Sequence, residues 1–137
     1  MSQASRWLLQ AEYDLATARD LLRIGRSSTA CFNAQQSAEK ALKAHRFAKE
    51  GTSSWGHVLG GTSGQLRAIL AYDPQFASVE QDARVLDQYY IGPRYPDALP
   101  EGAIPFQSYV PEQAQDAIDR ATRIVELVRR LFDQASG

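Results

Sequence analysis

The spacing of the apolar residues constrains this chain more than any other feature, because it repeats at three- and four-residue steps along most of the sequence. Such spacing places apolar side chains on one face of a helix. The sequence contains no alternating run of β-branched residues, which would predict strands. We therefore predict an all-α fold, with helices that end at Gly25, at Gly51 and at Gly92-Pro93.

Two long helices are predicted at the start of the chain. The first runs from about Ser5 to about Ile24, and the second begins at Ser27 or Ser28, either of which can cap it. The link between them is so short that they must form an antiparallel hairpin. Their apolar stripes are Trp7, Ala11, Leu15, Ala18 and Leu22 in the first helix, and Cys31, Ala34, Ala38, Ala41, Leu42, His45 and Ala48 in the second.

Three further helices complete an antiparallel up-and-down bundle of four main helices plus one short helix. The short helix runs from about Ser63 to Ala71, after a glycine- and serine-rich loop. The last helix begins at Pro111 and has two apolar seams, as a helix does that is central to a bundle or shared with a partner copy. The stripe of the fourth helix is Phe76, Val79, Ala83, Leu86 and Tyr90, and the second seam of the last helix is Ile118, Val125 and Phe132.

A long proline-rich connection precedes the last helix. Five of the six prolines lie between positions 93 and 111, so a continuous helix through this span is excluded. The connection from Pro93 to Tyr109 is longer than most loops in compact domains, and such loops are usually functional or disordered.

Composition limits the classes of function. Lys plus Arg total 15 and Asp plus Glu total 16, so the net charge of −1 lacks the basic excess of a general nucleic-acid binder. The only cysteine, Cys31, cannot form an internal disulfide, and we expect it to be buried. No signal peptide, membrane span, metal site or cofactor motif is predicted. We expect one cytoplasmic domain over residues 1–137.

The most specific local motif is Arg94-Tyr95-Pro96-Asp97, with Tyr90 just before it. The prolines on either side of Arg94-Tyr95 fix backbone angles and reduce the entropy lost when these side chains are positioned. Arg94 offers a planar fork of donors for a phosphate or carboxylate, and Tyr95 offers a stacking face. Alternatively, Arg94 pairs with Asp97 or another carboxylate and pins the loop to the helices.

The second helix carries a polar group of side chains in Gln36, Glu39, Lys40 and Lys43. Glu39 and Lys43 have the spacing of a helical ion pair, which is the simpler interpretation. The functional interpretation places these residues along a groove that faces a ligand or partner. Of the two histidines, His45 is predicted to be packed in the core. His57 lies in the glycine-rich loop, where it is solvated, caps the short third helix or lies close to the Arg94 segment.

Taken together, these segments resemble the HEPN domain family. The resemblance covers roughly Trp7 to Phe132 and is most specific in the Gln-Gln-x-x-Glu-Lys pattern of the second helix combined with Arg-Tyr-Pro-Asp. The matching segments are Trp7 to Leu22, Cys31 to Ala44, His57-Val58-Leu59, Leu86, Tyr89-Tyr90, Arg94 to Asp97 and the alanine-rich last helix.

The resemblance implies an antiparallel helical bundle that is commonly a homodimer. Many members are similar to one half of a two-gene system whose other half is a minimal nucleotidyltransferase, and some of these partners modify a tyrosine near the arginine, for which Tyr95 is the nearest counterpart. Other members are ribonucleases with an arginine followed after four to six residues by histidine. Here no histidine follows Arg94, and Asp97 or Glu101 does not readily carry a proton at neutral pH.

Three functions follow as hypotheses. In the first, the chain binds a nucleotide or other acidic ligand, and a nucleotidyltransferase partner, through Arg94, Tyr95, Asp97, Tyr90, Lys43 and Glu39. In the second, it is a metal-independent ribonuclease of toxin type that uses Arg94 with a histidine from elsewhere, such as His57. In the third, it is a structural homodimer in which Arg94 only pins a loop.

Overall fold

The computed structural model describes residues 1–51 and 61–136 and confirms the all-α bundle. Within these residues the chain forms six α-helices and no strand. Short 3₁₀ helices at Pro74–Val79 and Pro96–Ala98 lie among them. The helices are α1 (Gln3–Arg23), α2 (Ser27–Glu50), α3 (Gly61–Leu70), α4 (Glu80–Asp87), α5 (Pro105–Ser108) and α6 (Pro111–Ser136).

Helices α1 and α2 form the predicted hairpin. The Ser2 hydroxyl accepts a hydrogen bond from the Ser5 backbone N–H and caps α1, which removes one of the unpaired donors at the helix start. Gly25 and Gly51 follow the two helices with φ near +84°, a backbone conformation that favours glycine. The ends of both helices were therefore predicted from the sequence to within one or two residues.

Helix α2 is the centre of the bundle, since it packs against α1, α3, α4, α5 and α6. Its core face is built largely of alanine, so neighbouring helices approach closely, as the small side chains predicted. Larger side chains from the surrounding helices fill the remaining space. The largest apolar side chains that are fully buried are Phe76, Leu8, Leu42, Leu66, Ile69, Leu86, Ile124 and Val128.

The second apolar seam of α6 is covered by the chain itself. Ile118 and Val125 are buried, and Phe132 packs against the core. Helix α6 contacts α1 as well as α2, and a helix between two neighbours needs two seams. The seam therefore gives no support to a shared interface with a partner copy, which was the reason to expect a dimer from the sequence.

The fourth helix differs from the prediction at its end. Helix α4 stops at Asp87, and residues 88–90 continue as turns in which each backbone N–H bonds to the carbonyl three residues earlier. Three residues per turn bring Tyr89, rather than Tyr90, onto the face of Leu86. Tyr89 is therefore buried and Tyr90 is 43% exposed, so the assignment of Tyr90 to the apolar stripe was wrong.

The proline-rich connection contains no continuous helix, as predicted, but it does contain two short helical segments. Pro96 begins the 3₁₀ helix and Pro105 begins α5, in each case at the first helical position. That position suits proline, because its backbone nitrogen needs no intrahelical partner. Prolines that prevent one long helix thus begin two short ones. Among the described residues, no helix has both the length and the apolar character that a membrane crossing needs.

Candidate functional site

Arg94 lies among three aromatic rings, near the N-terminal end of α2. Its guanidinium carbon is 4.2 Å from the ring centre of Phe32 on α2, and 4.8 Å from the ring centres of both Tyr90 and Tyr95. All three distances are within the range of cation–π attraction. We call Arg94, Phe32, Tyr90 and Tyr95 the arginine cage. Phe32 was missed as a site residue because no local pattern says that it will meet Arg94.

The guanidinium of Arg94 makes few hydrogen bonds to the protein. Its Nε donates to the Tyr90 carbonyl oxygen over 2.9 Å, and one terminal nitrogen donates to the Tyr95 hydroxyl over 3.3 Å. In residues 1–51 and 61–136, no carboxylate lies within ion-pair distance of Arg94, so the predicted alternative of pairing with Asp97 is absent there. The terminal nitrogens of a guanidinium carry several N–H groups, and those of Arg94 make only this one hydrogen bond to the described residues.

The backbone before Arg94 is held by a close contact. A Cβ added to Gly92 would overlap the Tyr109 hydroxyl oxygen, so the approach of Tyr109 requires glycine at this position. Tyr109 also packs edge-on against Tyr89, with ring centres 6.1 Å apart. Burial raises the pKa of Tyr89 to about 12 and also raises the pKa of Tyr109, so both hydroxyls stay protonated at neutral pH. These contacts join both ends of the proline-rich connection to the bundle.

The solvent-facing side of the cage is open. Tyr95 is 50% exposed, Asp97 is exposed, and Arg94 itself is half-buried. Asp97 lies in the 3₁₀ helix that follows Tyr95, and no hydrogen bond joins its side chain to the described residues. The cage is thus a cation with aromatic walls at the surface, an arrangement suited to an anionic ligand with a flat ring.

Glu39 and Lys43, the other predicted ligand-binding residues, lie further along α2. They form the predicted ion pair, with Nζ and a carboxylate oxygen 3.7 Å apart. Glu39 is seven residues beyond Phe32 and Lys43 is eleven, which is about 10 and 16 Å along the helix axis. The structure therefore groups Arg94, Tyr90 and Tyr95 directly, and places the Glu39–Lys43 pair two to three turns away on α2.

Asp87, the last residue of α4, binds the start of α3. Its carboxylate accepts a hydrogen bond from the Ser63 backbone N–H over 3.1 Å and another from the Ser63 hydroxyl, near the start of α3. A carboxylate at this place favours the helix because it satisfies an unpaired N–H and interacts with the helix dipole. Gly61 is close to both Asp87 and Glu39. Within the described residues no cluster of three His, Cys, Asp or Glu side chains could hold a metal ion.

The predictions for the two histidines and the cysteine compare differently with the structure. His45 is buried as predicted, 3.1 Å from the Asp73 carboxylate, and its ring packs against Phe76. Burial lowers the pKa of His45, although Asp73 acts in the opposite direction. Cys31 is also buried, and burial raises the pKa of its thiol to about 12, so it is unsuited to nucleophilic chemistry. His57 lies outside the described residues.

Two charge clusters, each around one buried side chain, were not predicted from the sequence. Asp82 on α4 binds Arg123 through two hydrogen bonds and Arg120 through one, and so joins α4 to α6. Arg46 on α2 binds Glu50 through two hydrogen bonds and Gln65 through one. The four-residue spacing of Arg46 and Glu50 was a local signal that could have shown their pairing. No local signal relates Asp82 to α6.

Comparison with known proteins gives the same family as the site motif. The HEPN domain model matches residues 4–131. The crystal structure of TT1696 from Thermus thermophilus is 36% identical, has a TM-score of 0.77, and is matched over 95% of this chain and 98% of that one. The crystal structure of ST0689, an archaeal HEPN homologue, is 34% identical with a TM-score of 0.72, over 96% and 98% of the chains.

A protein of Methanocaldococcus jannaschii named "Putative toxin MJ1304" is 23% identical over 98% of this chain and 91% of its own length. The family match, the two similar structures and the Arg94 motif agree, and the chain belongs to the HEPN domain family.

Proposed function

We propose that residues 1–137 form one HEPN-like module that binds a nucleotide or another acidic ligand at the arginine cage and acts in a two-gene system of toxin–antitoxin type. The similarity to a protein named as a toxin supports the general role. The geometry of Arg94 supports the ligand. A guanidinium held by three rings has its position fixed in advance, which lowers the entropy lost on binding.

The single observation that carries this proposal is the absence of a carboxylate partner for Arg94 in the described part of the chain. A structural arginine is normally neutralised by acidic neighbours, as Arg46 is by Glu50. Arg94 instead has aromatic neighbours that attract a cation without using its outward donors. An anionic group can therefore dock on it without displacing an ion pair, and Tyr95 can stack on a base.

The test is binding of ATP, measured by isothermal titration calorimetry, to wild type and to Arg94→Ala. Loss of a charge-assisted hydrogen bond should weaken binding roughly 10- to 100-fold. Arg130→Ala, which removes an exposed arginine from α6, serves as the matched control and should bind as wild type does. Equal affinity and equal stoichiometry in wild type and Arg94→Ala would show that Arg94 is only a structural residue.

The same preparations distinguish the ribonuclease hypothesis. If wild type cleaves RNA without added metal and Arg94→Ala does not, Arg94 belongs to a nuclease site and another group supplies the proton transfers. His57→Ala then tests the histidine that the sequence offers. We expect intact RNA after incubation with wild type, because no histidine follows Arg94 at the spacing of the family's nuclease motif.

We also propose a minimal nucleotidyltransferase as partner, with Tyr95 at the contact. Tyr95 is exposed and its hydroxyl is oriented by Arg94, so a partner enzyme can reach it. Co-expression with the product of the adjacent gene should give a complex on size-exclusion chromatography that Tyr95→Ala weakens. An adjacent gene for an unrelated protein, or an unchanged complex with Tyr95→Ala, would count against this partner.

A homodimer remains part of the proposal, now for a different reason than the α6 seam. Several apolar side chains between residues 91 and 110 are well exposed, and we propose that they form the contact between two copies. Sedimentation should give a dimer at micromolar concentration, and Phe106→Glu should shift it toward monomer. A wild-type monomer at that concentration would rule the dimer out. These side chains are Ile91, Ile104, Phe106 and Val110.

A further inference from the structure

Helix α2 carries a stripe of half-buried side chains along one face. The stripe repeats at four, three, four and four residues, so its members share one helix face. It faces a groove with α1 on one side, where Asp14 pairs with Lys40, and with α3 on the other, where Gln35 bonds to Thr62. The half-buried residues of the stripe are Phe32, Gln36, Glu39, Lys43 and Phe47.

The arginine cage uses only the first end of this stripe. Phe32 belongs to the cage, whereas Phe47 lies fifteen residues further on, about 22 Å along the helix axis. At that second end a groove with a volume of about 530 Å³ lies between α1 and α2. This volume is in the usual range for a small-molecule site. We call it the Trp7 groove, and its lining consists of Gln3, Arg6, Trp7, Gln10, Lys40 and Phe47.

The floor of the Trp7 groove is aromatic. The rings of Trp7 and Phe47 are stacked, with centres 6.1 Å apart and an angle of 26° between the planes. The Lys43 ammonium lies 5.5 Å from the centre of the Trp7 ring. Aromatic side chains beside cations are the arrangement by which proteins hold unpaired bases, since every base has a flat π-face.

The rim of the groove is cationic and polar. The Arg6 guanidinium has a long contact of 3.5 Å to the Gln3 side chain, and no carboxylate in residues 1–51 and 61–136 lies within ion-pair distance of it. Lys40 is neutralised by Asp14 at 2.5 Å. Arg6 is therefore the cation of this groove that an incoming anion can use without competing with an acidic side chain.

We propose that the Trp7 groove is a second binding site, separate from the arginine cage, for a unit that consists of a planar base and a phosphate. The ring lies against Trp7 and Phe47, the phosphate accepts hydrogen bonds from Arg6, and the amides of Gln3 and Gln10 border the ring's polar edge. Flat aromatic surface, amide groups and a guanidinium within one groove match the three chemical parts of a nucleotide.

A base with a phosphate can come from a free mononucleotide or from one unit of a single strand. The two sources are distinguished with AMP and with a short oligoadenylate. A site for free nucleotide binds AMP at least as tightly as the oligoadenylate. A site for a strand binds the oligoadenylate more tightly, because further units extend along the stripe of α2 toward the arginine cage.

The readout is the indole N–H signal of Trp7 in a two-dimensional ¹H–¹⁵N NMR spectrum, assigned by its loss in Trp7→Phe. The arginine cage contains no tryptophan, so this signal reports on the Trp7 groove. Wild type should show a saturable shift with AMP or oligoadenylate below millimolar concentration. Arg6→Gln should weaken that titration at least tenfold, the lower limit for a lost charge-assisted hydrogen bond.

Two controls keep the result interpretable. Arg26→Gln removes another exposed arginine, from the link that follows α1, and should leave the titration unchanged because the end of α1 is about 25 Å from Arg6 along that helix. Arg94→Ala should also leave the AMP titration unchanged, because AMP is too short to reach the arginine cage, so this proposal and the proposed function fail separately. Arg6 is exposed, so its replacement should not prevent folding, which the remaining amide signals verify.

Two outcomes would overturn the proposal. One is a Trp7 signal that does not move with either probe up to millimolar concentration. The other is an equal titration in wild type and Arg6→Gln, which would place the ligand elsewhere.

Discussion

Arg46 and Arg94 lie at opposite ends of α2 and show two uses of the same side chain. Arg46 is 3% exposed, and its guanidinium makes two hydrogen bonds to Glu50 and one to Gln65. Arg94 is half-buried against three rings, with no carboxylate beside it in the described residues. A buried charge must be paired, because removing it from water costs several kcal/mol. A half-buried charge that lies against rings still reaches water, and no carboxylate of the described residues occupies its donors.

Arg46→Ala is the strongest test of this comparison. The change leaves the Glu50 carboxylate without its bidentate partner, and the free energy of unfolding should fall by about 3 kcal/mol. Urea unfolding followed by circular dichroism measures the change. Arg94→Ala should lower the same quantity by about 1 kcal/mol or less, the range of an exposed cation–π contact. Equal losses at the two positions would mean that Arg94 is a structural residue as well.

Gly92→Ala tests whether the arginine cage depends on the contact between Gly92 and Tyr109. The added methyl group would overlap the Tyr109 hydroxyl, and relieving that overlap should cost about 1 to 3 kcal/mol of stability. Because Gly92 is two residues before Arg94, ATP binding should weaken as well. The Trp7 groove lies near Arg46, at the end of α2 that is far from Gly92, so nucleotide binding there should stay unchanged.

The matched rescue is Gly92→Ala combined with Tyr109→Phe. The phenylalanine lacks the hydroxyl, and its nearest ring carbon would lie at an ordinary contact distance of 3.6 Å from the new methyl group. The double variant should therefore regain most of the lost stability and ATP affinity, as a coupling in a double-mutant cycle. If Tyr109→Phe and Gly92→Ala instead act additively, the two residues do not restrain each other.

The smallest expected effect is a pH dependence at the Arg46 end. Burial lowers the pKa of His45, with Asp73 and Glu50 opposing and Lys49 adding to the shift. The unfolded chain then binds a proton that the folded chain does not, so stability falls as the pH drops below about 6.5, the ordinary histidine value. Below the folded-state pKa the loss levels off.

Thermal unfolding of wild type and His45→Gln between pH 7.5 and pH 5.5 measures this dependence. All other groups are the same in both proteins, so the difference between the two curves isolates His45. Wild type should lose more stability than His45→Gln on acidification. Parallel curves would show that His45 has the same proton affinity in the folded and unfolded chain.

The sequence determined the helices because their signals are local. Apolar spacing, glycine after a helix and proline at its start act within a few residues, so the ends of α1 and α2 were predicted closely. The place where local reasoning failed is the end of α4. There the change from 3.6 to three residues per turn put Tyr89 in the core and left Tyr90 for the cage.

The candidate site was predicted only in part. Arg94 and Tyr95 could be singled out because prolines surround them and because the family motif includes them. That Phe32 would form a wall of the cage, and that Lys43 would lie beside Trp7, depended on how distant segments pack. Such contacts between remote residues leave no periodic signal in the sequence.

The amino-acid sequence by itself therefore determined that this chain is an all-α HEPN domain with an arginine on a proline-stiffened connection. Only the tertiary structure decided which charges are neutralised and which remain open to a ligand. The physical reason is that burial and pairing are properties of the packed chain. Arg46, Arg94 and Arg6 are the same residue type, and only their surroundings in the fold distinguish them: a carboxylate beside Arg46, aromatic rings beside Arg94 and a groove beside Arg6.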